Sequence, residues 1–281
     1  MRPSSRRPRL TLGVAMIAAL AAAATTAPGA QAIVDGRPDG NDHPAVGMMA
    51  IEHDGITDAW CSAWYAGRHK ADPGTGVVVT AGHCLADVAE LGYAPTDITV
   101  TFDTGAHFEW TGSVALAVGT SDWHPAVAYD YALSDDEDYG VVLLEDPAPG
   151  LTGLRFPAAR ALDDLAARGG LTKSLFDSVG YGWMAHFKRG PVSYEEPPAR
   201  MVSVSRFAGL TKTELGLLAN PDAGFGGGCY GDSGGPVLPH GSDTVVGMTN
   251  GGDPLCRAKV TPNRLDIPIA RAFFRDHVQL P

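Results

Sequence analysis

Strand-like patterns dominate the body of the chain. Polar and apolar residues alternate at 98–102 and again at 202–205, which is the period of a half-buried strand. Continuous apolar runs at 77–79 and 141–144 instead predict strands that are buried on both faces. These patterns together predict an all-β protein.

Helical signals are few, and one segment of turn residues divides the body into two halves. Residues 158–168 predict a short helix, and residues 269–278 predict a second one at the C-terminus. Two prolines and a glycine at 147–150 mark the connection between the halves. We therefore expect an N-terminal unit at residues 33–150 and a C-terminal unit at residues 151–281.

The first 32 residues have the composition of a secretory signal peptide. Four arginines precede an apolar stretch at 10–24, and Ala30-Gln31-Ala32 fits a signal-peptidase site. A conventional basic region explains the arginines better than a twin-arginine signal does. The apolar stretch is short for a membrane span, so we expect a secreted, extracellular protein without a stable membrane anchor.

Charge and cysteine content narrow the possible functions. The formal net charge is −11, and removal of the leader with its four arginines makes the surface more acidic still. Such a surface argues against nucleic acid as a partner.

Four cysteines in an exported chain predict two disulfides, and the sequence alone leaves three pairings open. No ligand spacing typical of zinc or calcium is present, so we expect no metal and no cofactor.

One glycine-rich segment presents a candidate nucleophile. Residues 229–236 read Cys-Tyr-Gly-Asp-Ser-Gly-Gly-Pro, which leaves the hydroxyl of Ser233 and its neighbouring amides uncovered. Gly231 and Gly234 lack a Cβ and therefore permit close substrate approach. The amides of Gly231 and Ser233 could converge on one oxyanion. Taken alone, the segment fits a tight surface loop equally well.

Two other segments supply a candidate base and a candidate acid. Residues 77–84 run from an apolar strand into His83, and Asp138 stands at the mouth of the apolar strand that follows it. A lone histidine is more often a structural residue, and Asp138 could simply end an acidic surface run. A carboxylate that enters a core needs a partner, however, because an unpaired buried charge is unfavourable. His83 is the partner that the pattern suggests.

Together these segments closely resemble the chymotrypsin-like (trypsin-fold) serine proteases. The resemblance rests on the histidine motif at 80–84, the aspartate strand at 138–144 and the serine motif at 231–236. It extends to three further segments: Ile33-Val34-Asp35-Gly36 at the mature amino terminus, Gly180-Tyr181-Gly182, and residues 246–256 beside the specificity pocket. The implied fold is two six-stranded antiparallel β-barrels packed face to face, with a short C-terminal helix.

The resemblance also implies roles for individual residues. His83, Asp138 and Ser233 would form the catalytic triad, in the cleft between the barrels. The amides of Gly231 and Ser233 would form the oxyanion hole. Disulfides would join Cys61 to Cys84 and Cys229 to Cys256. Asp232 would form an ion pair with the amino terminus of Ile33, which leader removal alone would expose.

Specificity is expected to depend on four positions in the second half of the chain. These are Gly227, Asn250, Gly252 and Asn263. Gly227 stands where trypsin-like enzymes carry an aspartate, so a preference for Lys or Arg is not expected. Gly251 replaces a usual aromatic residue, and Asn263 would narrow the pocket. We expect a small or polar residue before the scissile bond.

The sequence therefore predicts a monomeric, secreted serine endopeptidase that acts on protein or peptide substrates. One alternative is a protease-fold binding protein that has weak activity or none. A second is an esterase, because Gly-Asp-Ser-Gly-Gly at 231–235 also matches the nucleophile elbow of α/β-hydrolases, with Asp266 and His277 downstream. That elbow requires a strand before the serine and a helix after it.

Overall fold

The computed structural model describes residues 33–112, 114–186 and 192–281. The leader predicted at residues 1–32 lies outside the described residues. Strands dominate the described chain, and three short α-helices accompany them. Within this part, no helix is long and apolar enough to cross a membrane.

The described residues of the first half form nine strands and one α-helix. They are β1 (Arg37–Pro38), β2 (Val46–His53), β3 (Ile56–Arg68), β4 (Gly76–Thr80), α1 (Gly82–Leu91), β5 (Ile98–Thr101), β6 (His107–Trp110), β7 (Ala115–Val118), β8 (His124–Leu133) and β9 (Asp138–Leu144). Six of these strands form a closed antiparallel barrel in the order β2-β5-β8-β9-β4-β3, because β3 pairs back onto β2. The β6–β7 hairpin extends this sheet beyond β3.

The second half forms another closed barrel of six antiparallel strands. Its elements are α2 (Ala161–Ala167), β10 (Leu175–Gly180), β11 (Met184–His186), β12 (Ser193–Glu195), β13 (Met201–Leu210), β14 (Leu215–Leu218), β15 (Pro236–Pro239), β16 (Gly247–Gly252), β17 (Lys259–Arg264) and α3 (Pro268–Phe274). The order β13-β10-β15-β16-β17-β14 closes through pairing of β14 with β13. The all-β prediction with two six-stranded barrels and a C-terminal helix is therefore confirmed.

The apolar runs at 77–79 and 141–144 form barrel strands, as predicted. All five residues of β4 are buried, as are six of the seven in β9, because these strands lie side by side in the first barrel. Helix α2 lies inside the segment predicted at 158–168, and Gly169 with a φ of 70° follows its end. A left-handed φ is readily adopted only by glycine, which explains the helix stop.

Each end of the described chain contacts the barrel formed by the other half. Strand β1 pairs with β13 of the second barrel, whereas Phe274 of α3 packs against Tyr139 on β9 of the first. A fully buried Arg200 also fixes the N-terminal segment, since its Nε donates to Asp39 Oδ2 over 2.9 Å. These contacts join the two barrels and position the segment that begins at Ile33.

Candidate active site

His83 and Asp138 are joined at the edge of the first barrel. The backbone amide of His83 donates to Asp138 Oδ1 over 2.7 Å, and the ring Nδ1 lies 2.8 Å from Asp138 Oδ2. An ionised carboxylate only accepts hydrogen bonds, so Nδ1 carries the proton and Nε2 is left as the basic nitrogen. The acid thus fixes both the tautomer and the orientation of the ring.

The backbone around this pair requires a glycine. Helix α1 begins at Gly82, directly after β4, and pairing of Thr80 with Gly140 brings β4 against the start of β9. A Cβ on Gly82 would lie 2.5 Å from the carbonyl oxygen of Ala132 and 2.9 Å from the backbone of Tyr139. Only glycine allows this approach, which brings the turn carrying His83 onto the strand carrying Asp138.

The surroundings of the pair shift the pKa of His83. The Asp138 side chain is 7% exposed, and the His83 side chain is 34% exposed. Burial disfavours the charged ring, but the hydrogen bond and charge of Asp138, together with the charge of Asp87, outweigh it. The pKa of His83 is therefore raised above its ordinary value.

Ser233 lies on a tight loop that packs against the same strand end. Gly231 and Gly234 both adopt left-handed backbone, with φ values of 89° and 83°. A Cβ on Gly234 would collide with the side chain of Thr80 and the carbonyl of Ser62. Gly234 therefore lets the serine loop contact Thr80, which precedes His83 by three residues in the chain.

Ser62 connects the serine loop to the first barrel. Its amide donates to the carbonyl of Ser233 over 3.0 Å, and its hydroxyl donates to the carbonyl of Gly231 over 2.9 Å. The neighbouring Cys61 forms a disulfide with Cys84, the residue after His83. Within the described chain, Ser233 Oγ has no hydrogen bond to the His83 ring, a contact that is often long until substrate binds.

The backbone amides of the serine loop differ in whether they have an acceptor within the protein. The amides of Asp232, Gly234 and Gly235 donate to protein carbonyls. Within the described residues, the amides of Gly231 and Ser233 have no such acceptor. These are the two donors expected for an oxyanion. Beneath the loop, a Cβ on Gly231 would lie 2.8 Å from the ring of Phe108, so this position again requires glycine.

Asp232 is fully buried and is held by backbone amides. Its Oδ1 accepts from Gly182 and its Oδ2 from Cys229, each over 2.8 Å. Burial raises its pKa to about 7, although both hydrogen bonds act in the opposite direction. Among the described residues, no cationic side chain forms an ion pair with this carboxylate.

Ile33 is buried in the same barrel. It packs against Met184 and Met201, and the next residue, Val34, exchanges two backbone hydrogen bonds with Gly227. Met184 is two residues beyond Gly182, which donates to Asp232. The structure therefore brings the Ile33 segment and the Asp232 loop to one region of the second barrel.

A cavity of about 270 Å³ opens beside Ser233. Its lining includes Tyr230, Asn250, Gly251 and Gly252, and the disulfide between Cys229 and Cys256 forms part of its wall. Both disulfides join the cysteines that the resemblance implies. Of the four positions expected to determine specificity, Asn250 and Gly252 line this cavity.

The other two expected pocket residues lie behind it. A Cβ on Gly227 would be 2.6 Å from the side chains of Ala219 and Val260, so the position has no room for a carboxylate. Asn263 is buried and accepts from the Asn250 side chain over 2.9 Å. Its own Nδ2 lies 3.4 Å from the carbonyl oxygen of Asp138. Asn263 thus contacts the acid from behind instead of lining the cavity.

Sequence reasoning missed two features of this site. Ser62, which accepts from the Tyr181 amide as well as binding the serine loop, had no signal beyond its position next to Cys61. Helix α1 did have a signal in the sequence, namely the apolar residues Leu85 and Val88 followed by Gly92. In the structure, Leu85 and Val88 are buried, and Gly92 ends the helix with a φ of 82°. The apolar run before His83 predicted a strand, and no helix was predicted after it.

The site does not have the features of a metal centre or of a hydrolase elbow. Cys61, His83 and Cys84 form the single cluster of potential metal ligands among the described residues. Because the two cysteines are joined in a disulfide, neither can bind a metal as a thiolate. Strand β15 follows the serine loop, where an α/β-hydrolase requires a helix, so the esterase alternative based on that elbow is wrong.

Two comparisons with known proteins bear on this geometry. The search of curated proteins finds no match to the chain. A family model described as Trypsin matches residues 71–271, a span that includes the histidine, the acid and the serine loop. With that match over most of its length and with two closed six-stranded barrels, the chain belongs to the trypsin family of serine protease folds.

Proposed function

We propose that this protein is a secreted serine endopeptidase that hydrolyses peptide bonds through an acyl-enzyme on Ser233. One observation carries the proposal. His83 and Asp138 are joined by two hydrogen bonds at the strand end against which the Ser233 loop packs. An imidazole of fixed tautomer on a turn that contacts the loop of a serine is an arrangement suited to nucleophilic acyl transfer.

In the proposed reaction, Ser233 Oγ attacks the scissile carbonyl while His83 Nε2 accepts its proton. The amides of Gly231 and Ser233 stabilise the resulting oxyanion. The C–N bond then breaks, and the imidazolium gives its proton to the leaving amine. Water attacks the acyl-enzyme with His83 again as the base, which releases the acid product and restores Ser233. Asp138 stabilises the imidazolium in both halves of the cycle.

Leader removal is proposed to activate the protein. Cleavage after Ala32 converts the amide of Ile33 into an ammonium. Three observations favour an ion pair between this ammonium and Asp232: Ile33 is buried, Val34 is hydrogen-bonded to Gly227, and no cationic side chain among the described residues pairs with Asp232. Such a pair would lower the pKa of Asp232 and hold the loop that presents the oxyanion amides.

The substrate is proposed to be a protein or peptide with a small or polar residue before the scissile bond. The cavity beside Ser233 is small, and Gly227 has no room for the acid that would select Lys or Arg. We further propose that the enzyme acts as a monomer outside the cell and needs no cofactor.

The test is hydrolysis of a degenerate peptide library by the secreted protein, with N-terminal sequencing of the same sample. Cleavage should occur in the wild type and disappear in Ser233→Ala. Ser121→Ala, which changes an exposed serine elsewhere, is the matched control and should retain full activity. Absence of cleavage in a protein that begins at Ile33 would favour the inactive binding protein. An active protein that begins elsewhere would contradict activation by leader removal alone.

A further inference from the structure

A row of four aromatic side chains crosses the surface next to the serine loop. This aromatic strip consists of Trp110, Trp183, Tyr194 and Tyr230. Successive ring centroids are 5.8, 6.2 and 5.7 Å apart. The two ends are highly exposed, with 49% of Trp110 and 54% of Tyr230 accessible to solvent. Contiguous exposed aromatic surface of this kind typically marks a binding site.

Hydrogen bonds hold the strip in place across both barrels. The Trp110 amide donates to Glu196 Oε1 over 2.5 Å, which joins β6 of the first barrel to the segment after β12. The Trp183 amide donates to the carbonyl of Tyr230 over 2.7 Å. The hydroxyls of Tyr194 and Tyr230 share the carbonyl of Pro254 as acceptor. A surface fixed in this way loses little conformational entropy when it binds a partner.

The strip is continuous with the proposed catalytic site. Tyr230 lines the cavity beside Ser233 and also forms one end of the strip. Phe108, two residues before Trp110 on β6, packs beneath Gly231, whose amide is one of the two proposed oxyanion donors. From the cavity, the strip therefore runs past the oxyanion donors and on to the first barrel.

This position determines which part of a substrate the strip would meet. In the proposed function, the cavity receives the side chain before the scissile bond, and β16 contributes Asn250, Gly251 and Gly252 to its lining. A chain that continues past the oxyanion donors is the part released as the amine. We propose that the aromatic strip binds the leaving-group side of the peptide substrate and selects large apolar side chains there, an inference that rests on the proposed function.

The spacing of the rings suggests a pattern for these side chains. In an extended peptide, every second side chain points to the same face, at intervals of about 6.8 Å. The ring-to-ring steps of 5.7–6.2 Å are close to that interval. Aromatic or branched aliphatic residues at alternate positions after the scissile bond would therefore contact successive rings.

The test uses peptides that share one acyl half and vary the four residues after the scissile bond. For peptides with aromatic residues there, we expect Trp110→Ala to lower kcat/KM about tenfold, as for the loss of one good aromatic contact. Trp110→Phe should restore most of the rate. A nitroanilide with the same acyl half should be cleaved equally by all three proteins. Leu91→Ala, at a side chain that is 60% exposed outside the strip, is the matched control.

A binding measurement separates failure of this inference from failure of the proposed function. Ser233→Ala protein is titrated with peptides that correspond to the leaving half, and tryptophan emission is followed. Saturable binding that weakens when Trp110→Ala is added would support peptide binding by the aromatic strip. Hydrolysis without any preference for the residues after the scissile bond would overturn the proposed role of the aromatic strip and leave the proposed function intact. Peptide binding to the Ser233→Ala protein, with no acyl-enzyme detected on Ser233 of the wild type, would overturn the proposed function and with it the assignment of the strip to substrate.

Discussion

In the first barrel, the histidine and the acid are joined to each other by two hydrogen bonds, whereas in the second barrel the acid beside the serine is joined to backbone amides. Asp138 has His83 as its partner and raises the pKa of that ring. Asp232 has the amides of Gly182 and Cys229, and its own pKa is raised to about 7. The proposed base is thus positioned by contacts within one barrel, while the buried acid next to the proposed nucleophile has only backbone partners among the described residues.

This difference separates two requirements for the proposed activity. The His83–Asp138 pair depends on pairing of β4 with β9 and on the close approach at Gly82, both of which form within the first barrel. The serine loop depends on Asp232, and a buried unpaired carboxylate is destabilising unless it is protonated or paired. Changes in the first barrel should therefore alter proton transfer, and changes at the amino terminus should alter the oxyanion donors.

The largest effect is expected from Asp138→Asn. The amide can donate to Nδ1 and so favours the wrong tautomer of His83, which should lower kcat on the order of 10⁴-fold. Because Asp138 raises the pKa of His83, its loss should also move the acid limb of the pH–rate profile to lower pH. Asp87→Asn is the matched control, since it should shift the limb in the same direction with kcat nearly unchanged. A limb that does not move in Asp138→Asn would contradict the pairing.

A smaller loss is expected when one residue is added before Ile33. The added residue removes the ammonium from its proposed place at Asp232, and kcat should fall about 10²- to 10³-fold, as for a lost oxyanion donor. The pKa of His83, followed by NMR, should stay the same, because the first barrel is not affected. A fully active extended protein would show that the Asp232 ion pair is not required.

The extended protein should also lose stability as pH rises. Asp232 has a pKa of about 7 in the folded chain and the ordinary value of 3.8 when unfolded, so folding takes up a proton between these limits. The free energy of unfolding should therefore fall from pH 4 to pH 7 by a few kcal/mol, at about 1.4 kcal/mol per unit of pKa difference. Urea titrations should show this decline in the extended protein, but not in its Asp232→Asn variant.

The two disulfides should differ in their effect on activity more than in their effect on stability. Their cysteines are 23 and 27 residues apart, so removing either pair should lower the free energy of unfolding by about 3 kcal/mol. Cys229 and Cys256 line the cavity beside Ser233, whereas strand pairing also supports the turn at His83. Cys229→Ser with Cys256→Ser should therefore reduce kcat/KM more than Cys61→Ser with Cys84→Ser. Equal losses of activity would remove this distinction.

The features that the sequence predicted best are those that local pattern determines. The buried runs of β4 and β9 and the glycines around Ser233 place a histidine, an acid and a serine at element ends, and the structure has each at such a position. Contacts between distant residues were not predictable. Ser62 binds Gly231 across 169 residues, and neither residue carries a signal that names its partner.

The pocket illustrates the same limit. The family resemblance placed Asn263 on the pocket wall, but the register of β16 against β17 turns its side chain toward Asn250 and the carbonyl of Asp138. A register shift between Met248 and Gly251 accompanies this pairing. Such irregularities depend on packing between strands, which a single sequence does not specify.

The most direct test of this account is the rate at which a fluorophosphonate probe modifies Ser233. The reaction uses the serine, the histidine and the oxyanion donors but needs no knowledge of the natural substrate. In protein that begins at Ile33, we predict complete modification, located by mass spectrometry on the peptide that contains Ser233, and a large drop in rate in His83→Ala. An unmodified Ser233 in that folded, processed protein would contradict the central claim that the two barrels together form a catalytic site.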